Sequence, residues 1–201
     1  MIAPSKIMDL PIGYLGERWQ AAYVVRDLGE ALLYWTEVLK VGPFIQIDSS
    51  RGTRKILYRG QETMADYAVA FAYWGDVQIE LVNPINDEPS VFKEFLDSGR
   101  EGLQHVCYWP EEMDTACAQL EASGFTERTS VIHADGTRDI VYYDPPAHLG
   151  TMVEIVRMNE DRRAYFGRIE SLARSWDGVT RPVRRYASRA DFLASGEGRS
   201  A

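Results

Sequence analysis

Two short runs of the sequence each carry one metal-capable side chain in the middle of a strand-like pattern. From Val77 to Val82 apolar and polar residues alternate, so Gln78, Glu80 and Val82 share one face and Val77, Ile79 and Leu81 the other. From Leu103 to Trp109 the same period groups His105, Cys107 and Trp109, with Val106 and Tyr108 opposite. Gln20 sits likewise in the run Arg18 to Arg26, and Glu154 in the run Thr151 to Arg157. A glutamine oxygen, an imidazole nitrogen and two carboxylates make a mostly hard donor set, suited to one divalent ion of the Mg, Mn, Co, Ni or Zn group with water completing its shell. The absence of a cysteine ligand argues against structural zinc. An ion held there would polarise a carbonyl and stabilise the enolate left when the neighbouring C–H proton is removed. Glu80 and Glu154 are then the candidate catalytic groups, a base and its conjugate acid on the two faces of that enolate. The chemistry is epimerisation, a 1,2-hydrogen shift or double-bond isomerisation of a small carbonyl substrate, without a redox cofactor.

The elements that must position these residues occur twice. After an arm over residues 1–17, the first half (18–86) reads as a strand from Arg18 to Arg26, then a helix capped by Asp27 with Leu28, Ala31, Leu32, Trp35, Val38 and Leu39 at helical steps. Gly42 and Pro43 stop it. A short strand Phe44 to Ile47, a polar excursion from Ser49 to Gln61, the apolar strand Tyr67 to Trp74 and the Glu80 strand follow. A connecting helix and loop (87–102) leads to the second half (103–158). There the His105 strand, a helix from Glu111 to Ser123 and strands Phe125 to Ile132, Thr137 to Tyr143 and Thr151 to Arg157 repeat the order. Laid over one another at one constant offset, the halves align Gln20 with His105, Leu28 with Met113 and Ala31 with Ala116. At a second offset they align Ile79 with Val153, Glu80 with Glu154 and Leu81 with Ile155. The predicted fold class is therefore α+β, two βαβββ modules enclosing a metal-bearing cleft.

The repeat changes the weight of the individual residues. Taken singly, Gln20 reads as an edge-strand polar residue, Glu80 and Glu154 as carboxylates on half-wet strands and His105 as a satisfied core histidine. At matched positions in the first and last strands of both halves, all four would meet in one cleft. The remaining conspicuous residues have plainer readings. His133 and His148 lie in expected turns and read as solvent-side, although His148 could approach the cleft. Tyr67, Phe71, Tyr73, Trp109 and Tyr143 are ordinary strand aromatics. If several faced the cleft, with Trp109, Tyr143 and His148 as the substrate-binding candidates, a bulky or ring-containing substrate would be favoured.

Composition bounds the partners. The chain has 201 residues, 45% of them hydrophobic, enough for one substantial core. A net charge of -8 and a pI near 5.0 argue against nucleic acid or an anionic membrane surface. No apolar run approaches a membrane span and no secretory signal is evident, so the cytoplasm is the expected location. Cys107 and Cys117 have no zinc or disulfide spacing and read as buried thiols. The final segment, 159–201, reads as an amphipathic helix from Glu160 to Trp176 and an Arg- and Pro-containing stretch that leaves covering the cleft and forming a homodimer open. A flexible tail from Ala194 follows.

Over residues 18 to 158 the chain resembles the vicinal-oxygen-chelate superfamily, which includes glyoxalase I, methylmalonyl-CoA epimerase, extradiol dioxygenases and bleomycin-resistance proteins. The resemblance implies paired βαβββ modules and a divalent metal held by Gln20, Glu80, His105 and Glu154, with Glu154 the first choice of base and Glu80 the second. The order Gln, Glu, His, Glu is similar to one form of glyoxalase I. The segment Asn83 to Leu96, leading to Gly102-Leu-Gln-His, more closely resembles the epimerases. Val24 stands where glyoxalase I commonly has an arginine for glutathione, and Gln20 where dioxygenases carry a second iron-binding histidine. The expected function is a metal-dependent isomerase or epimerase. A glyoxalase I-like lyase on a thiol adduct and a metal-free binding protein of the bleomycin-resistance kind are the alternatives.

Overall fold

A computed structural model of the chain describes residues 13–16 and 19–199. The arm expected over residues 1–17 falls almost wholly outside the described residues, as does Arg18. The first half forms β1 (Trp19–Val24), α1 (Leu28–Leu33), β2 (Phe44–Ile47), β3 (Lys55–Tyr58), β4 (Gln61–Thr63), β5 (Tyr67–Trp74) and β6 (Val77–Pro84). The Asp27 side chain accepts from the Glu30 N–H, as its N-cap position predicts. One helix was expected to run on through Leu39, but the ladder changes to a π-helical turn over Tyr34–Val38. Then come α2 (Val91–Asp97), β7 (Gly102–Tyr108), α3 (Met113–Ala122), β8 (Thr126–Ile132), β9 (Arg138–Asp144) and β10 (Met152–Val156). The C-terminal segment adds α4 (Glu160–Arg174), β11 (Val183–Tyr186) and α5 (Arg189–Ser195).

Among the described residues, eleven strands join in one sheet, in the order β11-β2-β5-β6-β1-β7-β10-β9-β8-β3-β4. Each half contributes the same four-strand order, with its first strand parallel to its last. The two halves meet where β1 and β7 pair antiparallel. The register reproduces the sequence repeat: Gln20 lies opposite Gln78 and Ala22 opposite Glu80, as His105 lies opposite Met152 and Cys107 opposite Glu154. This carries the four candidate residues to the joint between the halves.

The excursion from Ser49 to Gln61 departs from expectation, because it contains β3 and leads into β4. Their hairpin leaves its own half and pairs through β3 with β8 of the other. Neither strand is long or apolar enough to announce itself, and the partner that stabilises them is remote in sequence.

Period-two alternation divides the side chains between two faces. Ala21, Ile79 and Leu81 join Leu28, Leu32 and Trp35 of the first helical segment in an outer core. Ile155, Val141 and Tyr143 do the same against Met113, Cys117 and Leu120 of α3. The concave face carries Val24, Val69, Phe71 and Val82, covered by Tyr165, Ile169 and Leu172 of α4 and Phe192 of α5. β11 extends the sheet edge parallel to β2. Residues 194–199, read from sequence as flexible tail, are tied down: the Glu197 carboxylate pairs with Arg181 at 2.8 Å and Arg184 at 2.6 Å, and its carbonyl accepts from Arg168. The Ser188 hydroxyl caps α5 by accepting from the Asp191 N–H. Ser188→Ala is expected to cost about 1 kcal/mol of stability, read by urea denaturation.

Candidate functional site

Glu80, His105 and Glu154 meet behind the β1/β7 joint, with one ligand atom from each lying within 4.8 Å of the others. All three are buried, and the imidazole is fully enclosed. His105 Nε2 lies 3.2 Å from Glu154 Oε2 and 3.5 Å from Glu80 Oε2. The other ring nitrogen, Nδ1, is 2.5 Å from Gln104 Oε1, an oxygen that can only accept, so this contact places the proton on Nδ1. Nε2 is then the nitrogen buried between the two carboxylates, with no hydrogen-bond partner among the described residues. Three such donors converging in a buried site favour a cation between them, a proton or a metal ion. Donors bound to one ion at about 2.1 Å lie about 3 to 4.2 Å apart, close to the spacing here. The residues present therefore fit a divalent metal.

Gln20 lines the same cavity wall as Glu80 and Glu154. Its Nε2 donates to Gln78 Oε1 at 2.6 Å, and Gln78 Nε2 donates in turn to the Tyr73 hydroxyl at 3.0 Å. This relay occupies the Gln20 nitrogen, so Oε1 is the Gln20 atom that could coordinate an ion. Without a cation, the cluster holds protons instead. Burial works against a charged imidazole, but the flanking carboxylates outweigh it and raise His105 to about 9. Burial and the Glu154 charge push Glu80 up, whereas His105 overcomes the effect of burial on Glu154 and holds it below the usual carboxylate range.

The cluster opens into a cavity of about 340 Å³. Trp109 lines it, as expected, and stacks on Phe166 of α4 with ring centroids 5.3 Å apart. Tyr143 does not. It lies in the outer core against α3, with its hydroxyl donating to Glu121 Oε1 at 2.9 Å, because strand parity turns it away from Glu154. Its neighbour Tyr142 lies opposite Glu154, as Phe71 lies opposite Glu80, and sets its ring edge-on to His105 at 5.2 Å. Carrying the repeat across the β9/β10 hairpin would have identified Tyr142. His148 is exposed in the turn before β10 and is not part of the lining. His133, read as solvent-side, does line the cavity, with Nε2 3.2 Å from Asp139 Oδ1. Arg54, Arg162 and Arg189 complete that end, and no local pattern marked them. Cys107 lines the wall too, its thiol pushed well up by burial and the Glu154 charge.

A sheet built from two like halves, each contributing a carboxylate to a shared buried histidine, defines a paired-module fold with its centre at the module joint. The chain belongs to the glyoxalase/bleomycin resistance protein/dioxygenase superfamily, whose family model matches residues 19–143. That span includes Gln20, Glu80 and His105 and stops short of Glu154. Among solved structures, the methylmalonyl-CoA epimerase of Mycobacterium tuberculosis is similar, with TM-score 0.52 and 19% identity over 78% of this chain and 97% of that one. A hypothetical protein from Bacillus halodurans C-125 is similar with TM-score 0.51 and 17% identity, over 70% of this chain and 93% of that one. At such identities the likeness shows the fold alone. No curated protein matches the chain. Among the described residues, no helix is long and apolar enough to cross a membrane.

Proposed function

We propose that the protein is a divalent-metal-dependent isomerase or epimerase that moves a proton beside a carbonyl bound in the cavity. The observation that carries this reading is His105 Nε2, buried between Glu80 and Glu154 at 3.5 and 3.2 Å without a hydrogen-bond partner among the described residues. Gln20, Glu80, His105 and Glu154 would hold the ion, which when bound supplies Lewis-acid polarisation of the substrate carbonyl. Gln104 orients the His105 ring and fixes its tautomer. Glu154 takes the proton from the carbon next to the carbonyl, and Glu80, from the other module, returns one to the opposite face. Phe71, Tyr142 and Val156 line the cavity around this pair and keep bulk water from the reacting carbon. A binding protein that merely sequestered an apolar ligand would have no use for a desolvated Glu-His-Glu cluster, whose burial is costly unless a cation offsets it.

The test is elemental analysis of wild-type protein and Glu154→Ala, stripped and reloaded with divalent ions, followed by α-proton exchange on a panel of aryl and alkyl ketones in deuterated buffer. About one ion per chain is expected in the wild type, with Glu154→Ala losing most of it and at least about 100-fold in exchange rate. No specific ion in the wild type would sink the reading.

A further inference from the structure

The cavity has a second charged end, which the metal cluster does not use. Arg51, Arg54, Arg162 and Arg189 line it beside a single carboxylate, Asp139, in a protein whose net charge is -8. Most of these guanidiniums are occupied. Arg162 is bidentate to Asp139 at 2.9 and 2.8 Å. Arg54 Nη1 lies 3.7 Å from the same carboxylate, and Nε donates to the Arg51 carbonyl at 3.3 Å. Arg51 Nη2 reaches the Met64 sulfur at 3.1 Å, and its buried Nε has no hydrogen-bond partner among the described residues. Arg189 is held neither by a carboxylate nor by a carbonyl, but by a ring. Its guanidinium lies 4.6 Å over the Tyr165 ring, and its buried Nη2 has no hydrogen-bond partner among the described residues. Burial and the nearby Arg162 and Arg54 make its charge harder to hold. Ring stacking explains why Arg189 packs against α4. It leaves unexplained a desolvated N–H without an acceptor among the described residues and a surplus of positive charge at this end of the cavity.

Tyr165 connects this end to the other. Its ring meets Phe71 edge-on with centroids 6.0 Å apart, and Phe71 lies opposite Glu80 in the sheet. A cationic end and a carboxylate-histidine end are thus separated by a belt of aromatic rings.

We propose that Arg189 is the anchor of a carboxylate-recognition subsite, and that the substrate is a bulky or aryl carboxylic acid whose reacting carbonyl lies across the aromatic belt from its carboxylate. The inference rests on the reading of the cavity as a substrate site and names the substrate class. A planar guanidinium fork matches a carboxylate in two parallel hydrogen bonds, which would satisfy the orphaned Nη2 and offset the surplus charge. Arg189 belongs to α5, beyond the residues 19–143 matched by the family model, so the selectivity is supplied by this chain's own C-terminal segment.

Calorimetric titration of wild type, Arg189→Gln and Arg189→Lys with para-acetylbenzoate, benzoate and methyl para-acetylbenzoate tests the proposal. Both carboxylates are expected to bind wild type at least about tenfold more tightly than the ester. Arg189→Gln should erase that margin with metal content unchanged, and Arg189→Lys should restore part of it. Benzoate has no ketone, so its advantage should survive metal stripping; an Arg189-dependent preference in protein that takes up no metal would leave this inference standing while the isomerase reading fell. Absence of any carboxylate preference in wild type overturns it, as does a preference unchanged in Arg189→Gln. Should Arg189→Gln fail to fold, Arg189→Lys decides: an acid-over-ester margin equal to that of wild type overturns the proposal.

Discussion

His105→Ala is expected to reduce bound metal from about one ion per chain to background and to destabilise the fold by about 3 to 5 kcal/mol. The two losses share a cause. Glu80 and Glu154 come from different modules and approach one buried nitrogen at 3.5 and 3.2 Å. Without the imidazole, nothing cationic stands between them, and the space it filled, walled by the Phe92 and Tyr142 rings, is left as a void. One carboxylate must then be protonated, or the joint between modules must open to water. The double variant His105→Ala/Glu80→Gln separates the contributions: removing one carboxylate's charge should recover much of the stability, while metal uptake stays at background because two ligands are gone. Urea denaturation and elemental analysis of both proteins check this. A single variant that keeps its full metal content would exclude His105 as a ligand. A double variant no more stable than the single one would show that the void, not charge repulsion, sets the cost.

The parts of this site legible in the sequence are those governed by strand parity. Glu80 and His105 stand out because a polar residue interrupts a period-two apolar run, and the internal repeat points from them to Glu154 and Gln20. The structure bears out the underlying register, with Ala22 opposite Glu80 and Cys107 opposite Glu154. Tyr143, which would have joined the cavity only if the strand aromatics faced it, lies in the outer core instead, since a one-residue shift in parity moves a side chain through the sheet. The sequence could not show that Gln104 would turn inward beside His105, because both neighbours are buried at a point where β1 and β7 shift register between Ala22 and Tyr23. The β3/β4 hairpin and α5 were illegible for a different reason. Their short, mixed-polarity runs are stabilised by partners far along the chain, β8 for the hairpin and, for α5, the Tyr165 ring of α4 packed against Phe192. The cationic end of the cavity is assembled from the 49–54 loop, β9, α4 and α5, and no spacing within any one of them foretells the meeting.

Asp139→Ala is expected to be the most damaging substitution away from the metal cluster. The carboxylate is buried on β9 and receives both nitrogens of Arg162, itself buried on α4, with His133 at 3.2 Å and Arg54 at 3.7 Å. This pair fixes the helix that roofs the cavity to the second module. Removing Asp139 leaves the Arg162 guanidinium desolvated without its counter-charge, which costs about 3 to 5 kcal/mol, far more than the pair's net worth against an apolar replacement. Asp139→Leu combined with Arg162→Met should therefore be more stable than Asp139→Ala alone, although it abandons the clamp on α4. The pH dependence has a definite sign. Burial raises the Asp139 carboxyl, but Arg162 outweighs it and holds the folded value below the ordinary one. Its contribution is thus fully present above the unfolded value of about 3.9 and is lost as pH falls through the lower folded value. The stability difference between wild type and Asp139→Ala should be largest at neutral pH and shrink in acid, measured by urea denaturation across that range. A difference that stayed constant into strong acid would mean that packing around Asp139, rather than its charge, holds α4 over the cavity.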